Sequence, residues 1–266
     1  MSIMPKPWIF FRAMVGSLAT FIIFLISWHL FNNVKVVPAL IVVGSFAVPF
    51  AVLILFFELN TPRNISIFKI VQLVIVGGAI SIIFSLMLFQ VTPLVGVFGA
   101  SAAGIIEEYG KLVALITFLG TLGVRKYKYR LNALLLGAAV GTGFAAFESA
   151  GYALEAGMFQ SADEMISVIQ LRGLLSPFAH IAWTAIAASA FWLARPKFSD
   201  SIDTIFSFEF LKLFALPVGL HFVWNFPFDG LFMMKYWILG FIAWVVIISL
   251  VQSGLKEVGH IARNNQ

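Results

Sequence analysis

Cysteine is absent from this 266-residue chain, and charged side chains are scarce. Without a thiol there is no disulfide, no cysteine metal ligand and no cysteine nucleophile, and the HExxH and GxSxG motifs are missing as well. Charged residues make up 11% of the sequence, against about a quarter in a soluble domain, so they cannot cover a water-facing surface. With 61% hydrophobic residues, the composition also excludes a disordered chain.

Long apolar runs predict an all-α, polytopic membrane helix bundle of about eight transmembrane helices, because a hydrocarbon core of about 30 Å needs about 20 apolar residues per helix. The predicted spans are Ala13–Leu30, Ala39–Phe57, Ile70–Gln90, Leu94–Leu122, Leu131–Leu154, Leu171–Ala194, Leu211–Phe226 and Tyr236–Gln252. The fourth is long enough to tilt or to begin with a non-helical piece, and Pro177 is expected to disturb the start of the sixth. The stretches 155–170 and 195–210 have room for short surface helices.

The predicted organisation is a single membrane domain over residues 1–266. Residues 13–90 form three N-terminal spans without motifs, residues 94–226 form a catalytic four-helix core, and residues 236–252 form the final span. In the fifth span, Gly137, Gly141 and Gly143 provide a flat side for close helix packing.

Lysine and arginine are distributed unevenly between the two sides that these spans define. With a cytoplasmic N-terminus, thirteen lie on the cytoplasmic side, three on the opposite side and Lys111 inside a span. The positive-inside rule expects this asymmetry, so we predict that both termini are cytoplasmic. The net charge of +5 then reflects membrane topology. The expected surrounding partner is membrane lipid, and no nucleic acid is expected to bind.

Ionisable groups inside a span cost free energy unless they are paired or hydrated, so each is a candidate functional residue. The candidates, with one nearby amide, lie on four consecutive spans: Glu107, Glu108, Lys111, Glu148, His180, His221 and Asn225. Their depths are compatible with one polar cavity open to the external side. Lys111 shares a helix face with both adjacent glutamates, and His221 and Asn225 are also four residues apart. Arg172, Ser176, His180 and Thr184 form a further row at this spacing.

The charge of the candidate cluster needs compensation. Three glutamates and one lysine sum to −2 when both histidines are neutral, which is untenable for a buried group. A bound divalent cation would cancel this charge, and so would a proton shared within the glutamate pair together with a protonated histidine. The sequence leaves both explanations open.

Four motifs in order resemble the PrsW family of intramembrane proteases, within the wider group of type II CAAX proteases and bacteriocin-processing enzymes. The matching segments are Glu107-Glu108-Tyr109-Gly110-Lys111 (EExxK), Phe147-Glu148-Ser149-Ala150-Gly151-Tyr152 (FExxxY), Ser176-Pro177-Phe178-Ala179-His180 and His221-Phe222-Val223-Trp224-Asn225. The resemblance covers about residues 100–226. Glu148 departs from the CAAX-protease branch, which has histidine in this region, and so favours the PrsW branch.

This resemblance implies an intramembrane endopeptidase that cuts single-span membrane proteins, typically anti-sigma factors, on the extracytoplasmic side. The expected location is a bacterial or archaeal cell membrane. We expect Glu107 or Glu108 to act as general base on water, with the other glutamate and Lys111 setting the protonation and orientation of the base. His180 would be a second base or a water ligand. His221 and Asn225 would donate hydrogen bonds to the oxyanion.

A zinc-dependent form of the same protease stays open, with His180, His221 and one glutamate, Glu148 being the candidate, as metal ligands. No cofactor is firmly predicted. A proton-coupled transporter would also bury such groups, and a non-catalytic membrane scaffold is a third alternative. The discriminating feature is geometry: in a protease, the glutamate pair and both histidines should surround one hydrated cavity.

Overall fold

The computed structural model describes residues 8–122, 127–195, 202–228 and 233–264, and these residues form eleven α-helices and no strand. The helices are α1 Ile9–Phe31, α2 Val37–Leu59, α3 Ile67–Gln72, α4 Gly78–Val91, α5 Leu94–Phe98, α6 Ala102–Leu122, α7 Arg130–Phe159, α8 Ala162–Leu175, α9 His180–Ala194, α10 Phe208–Trp224 and α11 Met234–Asn264. A π-helical turn, Leu73–Gly77, joins α3 to α4. The all-α prediction is confirmed.

Six segments of the described residues are long and apolar enough to cross a membrane. They are Ile9–Phe31, Val34–Leu59, Ile67–Val91, Arg130–Phe159, Ala162–Ala194 and Met234–Arg263. The other two predicted spans correspond to α6, which carries Glu107, Glu108 and Lys111, and to α10, which has only 17 residues. The chain is an integral membrane protein, and the count of eight crossings stays a prediction.

Helix α7 is largely buried in the bundle, and its small residues allow close approach of α9. A Cβ atom at Gly137 would lie 2.4 Å from the carbonyl oxygen of Thr184, and one at Gly141 would lie 2.6 Å from that of His180. Lipid tails are as apolar as leucine, so membrane helices associate largely through close packing, which small residues permit. Two of the three glycines predicted to share a flat side, Gly137 and Gly141, bring the start of α9 against α7, whereas Gly143 lies on the other side of the helix.

The π-helical turn before α4 meets the opposite side of α7 at Gly143. A Cβ atom at Gly143 would lie 1.9 Å from the carbonyl oxygen of Val74, and one at Gly78 would lie 2.6 Å from the backbone of Gly143. Both sides of this contact therefore need glycine, and the two backbones pack directly against each other. Helix α7 is held between α4 and α9 as a result.

The fourth predicted span, expected to tilt or to begin with a non-helical piece, begins instead with a separate short helix, α5. Helix α5 ends at Gly99, where φ is 57° and ψ is −139°, a conformation that side-chain-bearing residues rarely adopt. A 3₁₀ turn, Gly99–Ser101, then leads into α6. Because α6 starts at Ala102, Glu107 lies in its second turn.

The sixth predicted span, Leu171–Ala194, lies within the apolar segment Ala162–Ala194 and is interrupted near Pro177, which was expected to disturb its start. Helix α8 ends at Leu175, a 3₁₀ turn covers Ser176–Phe178, and α9 begins at His180. Pro177 has no N–H group to donate to the preceding turn, and the backbone leaves the helical conformation two residues later, at Ala179, where φ is −110° and ψ is −128°. The row of residues four apart is therefore interrupted, and His180 opens a new helix.

Replacing Gly143 tests the backbone contact. Gly143→Ala is expected to lower the free energy of unfolding by about 1–3 kcal/mol, because the added methyl group overpacks the contact with Val74. Gly151→Ala is the matched control on the same helix, since nothing lies within 4 Å of a Cβ atom there. Thermal unfolding of both variants in one detergent measures the difference, and equal Tm values would contradict the contact.

Candidate active site

The candidate residues from four helices meet at one cavity of about 470 Å³. Glu107 lies on α6, Glu148 on α7, His180 at the start of α9 and His221 near the end of α10. Asn225 lines the same cavity as the C-terminal cap of α10, where its backbone N–H donates to the carbonyl oxygen of His221 over 3.2 Å. The predicted convergence is therefore observed in the geometry of these side chains.

Glu108 and Lys111 form a buried ion pair beneath this cavity. Both side chains are almost fully enclosed, at 0% and 1% exposure, and Lys111 Nζ donates to Glu108 Oε1. They are three residues apart on α6, which places them on one helix face. Neither residue lines the cavity, so the pair acts on it through the groups that it contacts.

His180 connects this ion pair to Glu148. Its Nδ1 lies 3.1 Å from Lys111 Nζ, and its Nε2 lies 2.9 Å from Glu148 Oε2. A lysine ammonium only donates, so Nδ1 is the acceptor in this contact. The ring proton is then on Nε2 and is donated to the carboxylate of Glu148. Both nitrogens of a neutral His180 are engaged in this arrangement.

His221 has the opposite arrangement. Its Nδ1 lies 2.9 Å from Glu108 Oε1, a carboxylate oxygen that can only accept, so Nδ1 carries the proton. Nε2 is then the acceptor nitrogen of a neutral ring, and it lies 3.6 Å from Glu107 Oε2. The Nε2 atoms of the two histidines therefore have opposite roles: that of His180 donates a hydrogen bond, whereas that of His221 is an acceptor.

Glu107 is a buried carboxylate at the cavity, and like Glu108 it has an Oε2 atom without a hydrogen-bond partner among the described residues. The exposed fraction of Glu107 is 7%. A buried carboxylate oxygen without a partner is costly unless water or a cation completes the site. The two adjacent glutamates thus differ: Glu108 is held by Lys111 and His221, whereas Glu107 faces the open space.

Arg172 is a site residue that the sequence did not single out. It lies near the end of α8, its side chain is 27% exposed, and it donates through Nη2 to Glu148 Oε2. It was recognised only as the start of a row leading to His180, because a cation near the end of a span is ordinary. Including Arg172 changes the formal charge of the cluster from −2 to −1, which corresponds to the unpaired Glu107.

Aromatic rings hold the imidazoles in place. Trp183 stacks on His221 with ring centroids 4.3 Å apart and planes inclined by 24°. Phe144 lies 4.9 Å from the ring of His180, and Lys111 Nζ lies over the Phe144 ring at 4.7 Å. The sequence predicts only packing for these aromatics, although Trp183 lies three residues after His180, a spacing that puts the two side chains on one helix face.

Glu107, His180 and His221 also form a candidate metal-ligand group. Each offers one ligand atom, and these atoms all lie within 4.8 Å of one another. Two imidazoles and one carboxylate are the protein ligands of many catalytic zinc sites. The unpartnered Glu107 Oε2 fits such an ion, although coordination by His180 requires it to give up the contact with Lys111 or with Glu148.

The third member of this group differs from the predicted one. Glu148 was the expected glutamate ligand beside His180 and His221, but its Oε2 accepts from both Arg172 and His180. Glu107 is instead the carboxylate that lies close to both histidines. From the sequence, Glu107 and Glu148 are equally good candidates for the metal ligand. In the structure they differ, because Glu148 is paired with Arg172.

The comparisons with known proteins agree with this geometry. A family model described as "PrsW family intramembrane metalloprotease" matches residues 61–251, well over half of the chain. No curated protein and no solved structure matches the chain. The matched range contains all seven predicted site residues as well as Arg172, and the description as a metalloprotease is compatible with the group formed by the glutamate and the two histidines.

Removing Lys111 tests the dependence of the bundle on the buried ion pair. Lys111→Gln is expected to lower the free energy of unfolding by about 3–5 kcal/mol, because Glu108 would remain buried without its counter-charge. Lys256→Gln, at an exposed position on α11, is the control and should change stability by less than about 0.5 kcal/mol. Chemical unfolding in detergent measures both, and similar stability of the two variants would refute the pairing.

Proposed function

Because the chain belongs to the PrsW family of intramembrane proteases, we propose that it hydrolyses a peptide bond of a membrane-protein substrate at Glu107, His180 and His221. The observation that carries this proposal is the Glu107 carboxylate, which is buried, open to the cavity and unpartnered at Oε2 among the described residues. Peptide hydrolysis needs a base for water, a donor for the oxyanion and a proton for the leaving amine.

Glu107 is the base in this proposal. Its carboxylate takes a proton from the attacking water as the water oxygen bonds to the scissile carbonyl carbon, and later delivers this proton to the leaving amine nitrogen. Glu108 is unsuited to this role because Lys111 and His221 already occupy its Oε1 and it does not line the cavity. The division of labour between the two glutamates follows from these contacts.

The hydrogen-bonding state of His221 assigns it to the water. With its proton on Nδ1, its Nε2 accepts a hydrogen bond from the attacking water beside Glu107. In the same state Nε2 carries no proton, so His221 cannot donate a hydrogen bond to the oxyanion. The sequence had predicted that donor role for His221. The side-chain amide of Asn225, which lines the cavity one helical turn further along, is then the oxyanion donor.

The residues also fit a zinc-dependent form of this reaction, in agreement with the family description. Glu107, His180 and His221 would hold the ion, and Glu108 would brace the ligand His221 through its Nδ1–H. When bound, zinc supplies Lewis-acid polarisation of the scissile carbonyl and eases deprotonation of water. In either form Glu107 and His221 lie at the centre of the chemistry.

The proposed orientation has eight crossings and both termini in the cytoplasm. It adds α6 and α10 to the six apolar segments and rests on the thirteen cytoplasmic against three external lysines and arginines. Under this orientation, the ends of α4, α7 and α10 face outside, and residues near these ends line the cavity. Cleavage would therefore take place on the extracytoplasmic side of a bacterial or archaeal cell membrane.

The proposed substrate is a single-span membrane protein of the anti-sigma-factor type. A volume of about 470 Å³ accommodates a few residues of extended chain rather than a folded helix, so the substrate segment would unwind at the site. The lining combines polar groups such as Ser149 and Arg172 with apolar ones such as Phe89 and Val95. This mixture suits a segment at the outer boundary of a membrane span.

Replacing the proposed base tests the function directly. Glu107→Gln should lower the cleavage rate by about 10²–10⁴-fold, because the amide cannot take the proton of water. Glu155→Gln, a change of the same kind at an exposed position on α7, should leave the rate unchanged. The measurement uses proteoliposomes and a panel of single-span reporters that carry a fluorophore–quencher pair across the outer third of the span. Equal cleavage by wild type and Glu107→Gln would end the proposal.

Metal content separates the two forms of the mechanism. If zinc belongs to the site, purified wild-type protein should contain about one zinc ion per chain, and His221→Ala should lose it together with activity. Elemental analysis and cleavage assays are made before and after stringent chelation, with His260→Ala as the control outside the cavity. Full activity in metal-free protein would exclude the zinc-dependent form and leave the activation of water to Glu107 assisted by His221.

A further inference from the structure

The contacts of Arg172 point to a role beyond charge balance. Its Nε donates to Ser149 Oγ over 2.9 Å, its Nη2 donates to Glu148 Oε2, and its guanidinium lies 4.5 Å from the ring centroid of Tyr152. These three partners lie within little more than one turn of α7. A planar group with several N–H donors fits all three at once, which a lysine ammonium cannot do.

The oxygen that Arg172 contacts is the one that His180 uses. Glu148 Oε2 accepts from Arg172 and also lies 2.9 Å from His180 Nε2. The carboxylate is therefore held from one side by the guanidinium while it holds the imidazole on the other. Without Arg172, the Glu148 side chain keeps His180 as its one recorded partner within the described part of the chain and can rotate toward the cavity, because the cavity is open beside it.

We propose that Arg172 is a positioning residue for the protease reaction, acting through Glu148 to keep the proton of His180 on Nε2 and its Nδ1 facing Lys111. This inference rests on the proposed function and extends it to a residue outside the four motifs. It also gives the break at Pro177 a consequence: Arg172 and His180 are on separate helices, so the ion pair with Glu148 fixes the end of α8 relative to the start of α9.

Kinetics of four variants test this role against two others. Arg172→Gln should lower kcat about 10–100-fold with KM changed less than about twofold, as is typical when a partner that orients an active-site imidazole is lost. Arg172→Lys should recover only part of the loss, since it restores the charge without the planar fork. The double variant Arg172→Gln/Glu148→Gln should be no slower than Glu148→Gln alone, because both changes act on one contact.

The alternatives give different results in the same assays. A raised KM with unchanged kcat would mean that Arg172, which lines the cavity, contacts the substrate directly, and the proposal would fall. A lowered Tm with kcat per folded molecule retained would reduce Arg172 to a structural residue. Independent, multiplicative losses in the double variant would separate it from Glu148. Arg263→Gln, at an exposed position near the end of α11, is the matched control.

A second measurement does not need activity. In protein labelled with ¹⁵N-histidine, which has four histidines, the His180 signals should show the proton on Nε2, and Arg172→Gln should change them while those of His29 and His260 stay constant. Unchanged His180 signals in the variant would overturn the inference. If wild type cleaves no reporter but the His180 signals still respond to Arg172→Gln, the proposed function fails while the positioning contact stands.

Discussion

The ion pair between Glu108 and Lys111 organises the site. Both groups are buried on one face of α6, and each contacts a different histidine: Lys111 meets Nδ1 of His180, and Glu108 meets Nδ1 of His221. Since an ammonium can only donate and a carboxylate can only accept, the pair imposes opposite hydrogen-bonding roles on the two imidazoles. His180 directs its proton to Glu148, and His221 presents an acceptor nitrogen toward Glu107.

This arrangement needs the helices to lie very close together. Glycines on α7 let the backbones of α4 and α9 approach, so that the first residue of α9 reaches the lysine of α6. Trp183 and Phe144 then pack against the imidazoles and limit their rotation. Small residues and large rings thus have complementary roles: the former bring the helices together, and the latter fill the space around the polar groups.

The remaining charge explains why one carboxylate stands apart. Lys111 compensates Glu108 and Arg172 compensates Glu148, whereas Glu107 forms no ion pair with a lysine or arginine of the described residues and has an unpartnered oxygen at the cavity. A buried negative charge of this kind is stable only with a proton, water or a cation. The carboxylate oxygens of Glu107 would therefore serve in both mechanisms, as the general base without zinc and as a metal ligand with it. For this reason the geometry is compatible with both.

Most of the helices, and the meeting of the candidate side chains at one place, could be predicted from the amino-acid sequence. Ionisable side chains stand out against apolar runs because their burial is costly, and spacings of three or four residues show which of them share a helix face. The break at Pro177 was only partly foreseen, since the sequence indicates a disturbance but not where the next helix resumes.

Three features came from the packed structure alone. Glu107 lines the cavity whereas Glu108 does not, and Glu107 rather than Glu148 lies close to both histidines. Arg172 forms an ion pair with Glu148. Neighbouring residues on a helix point in directions about 100° apart, so the sequence does not say which of two adjacent carboxylates faces a cavity. Arg172 and Glu148 are 24 residues apart on different helices, and their contact exists only because α8 packs against α7. Local spacing determines the face of a helix, whereas pairing between helices depends on how their backbones pack.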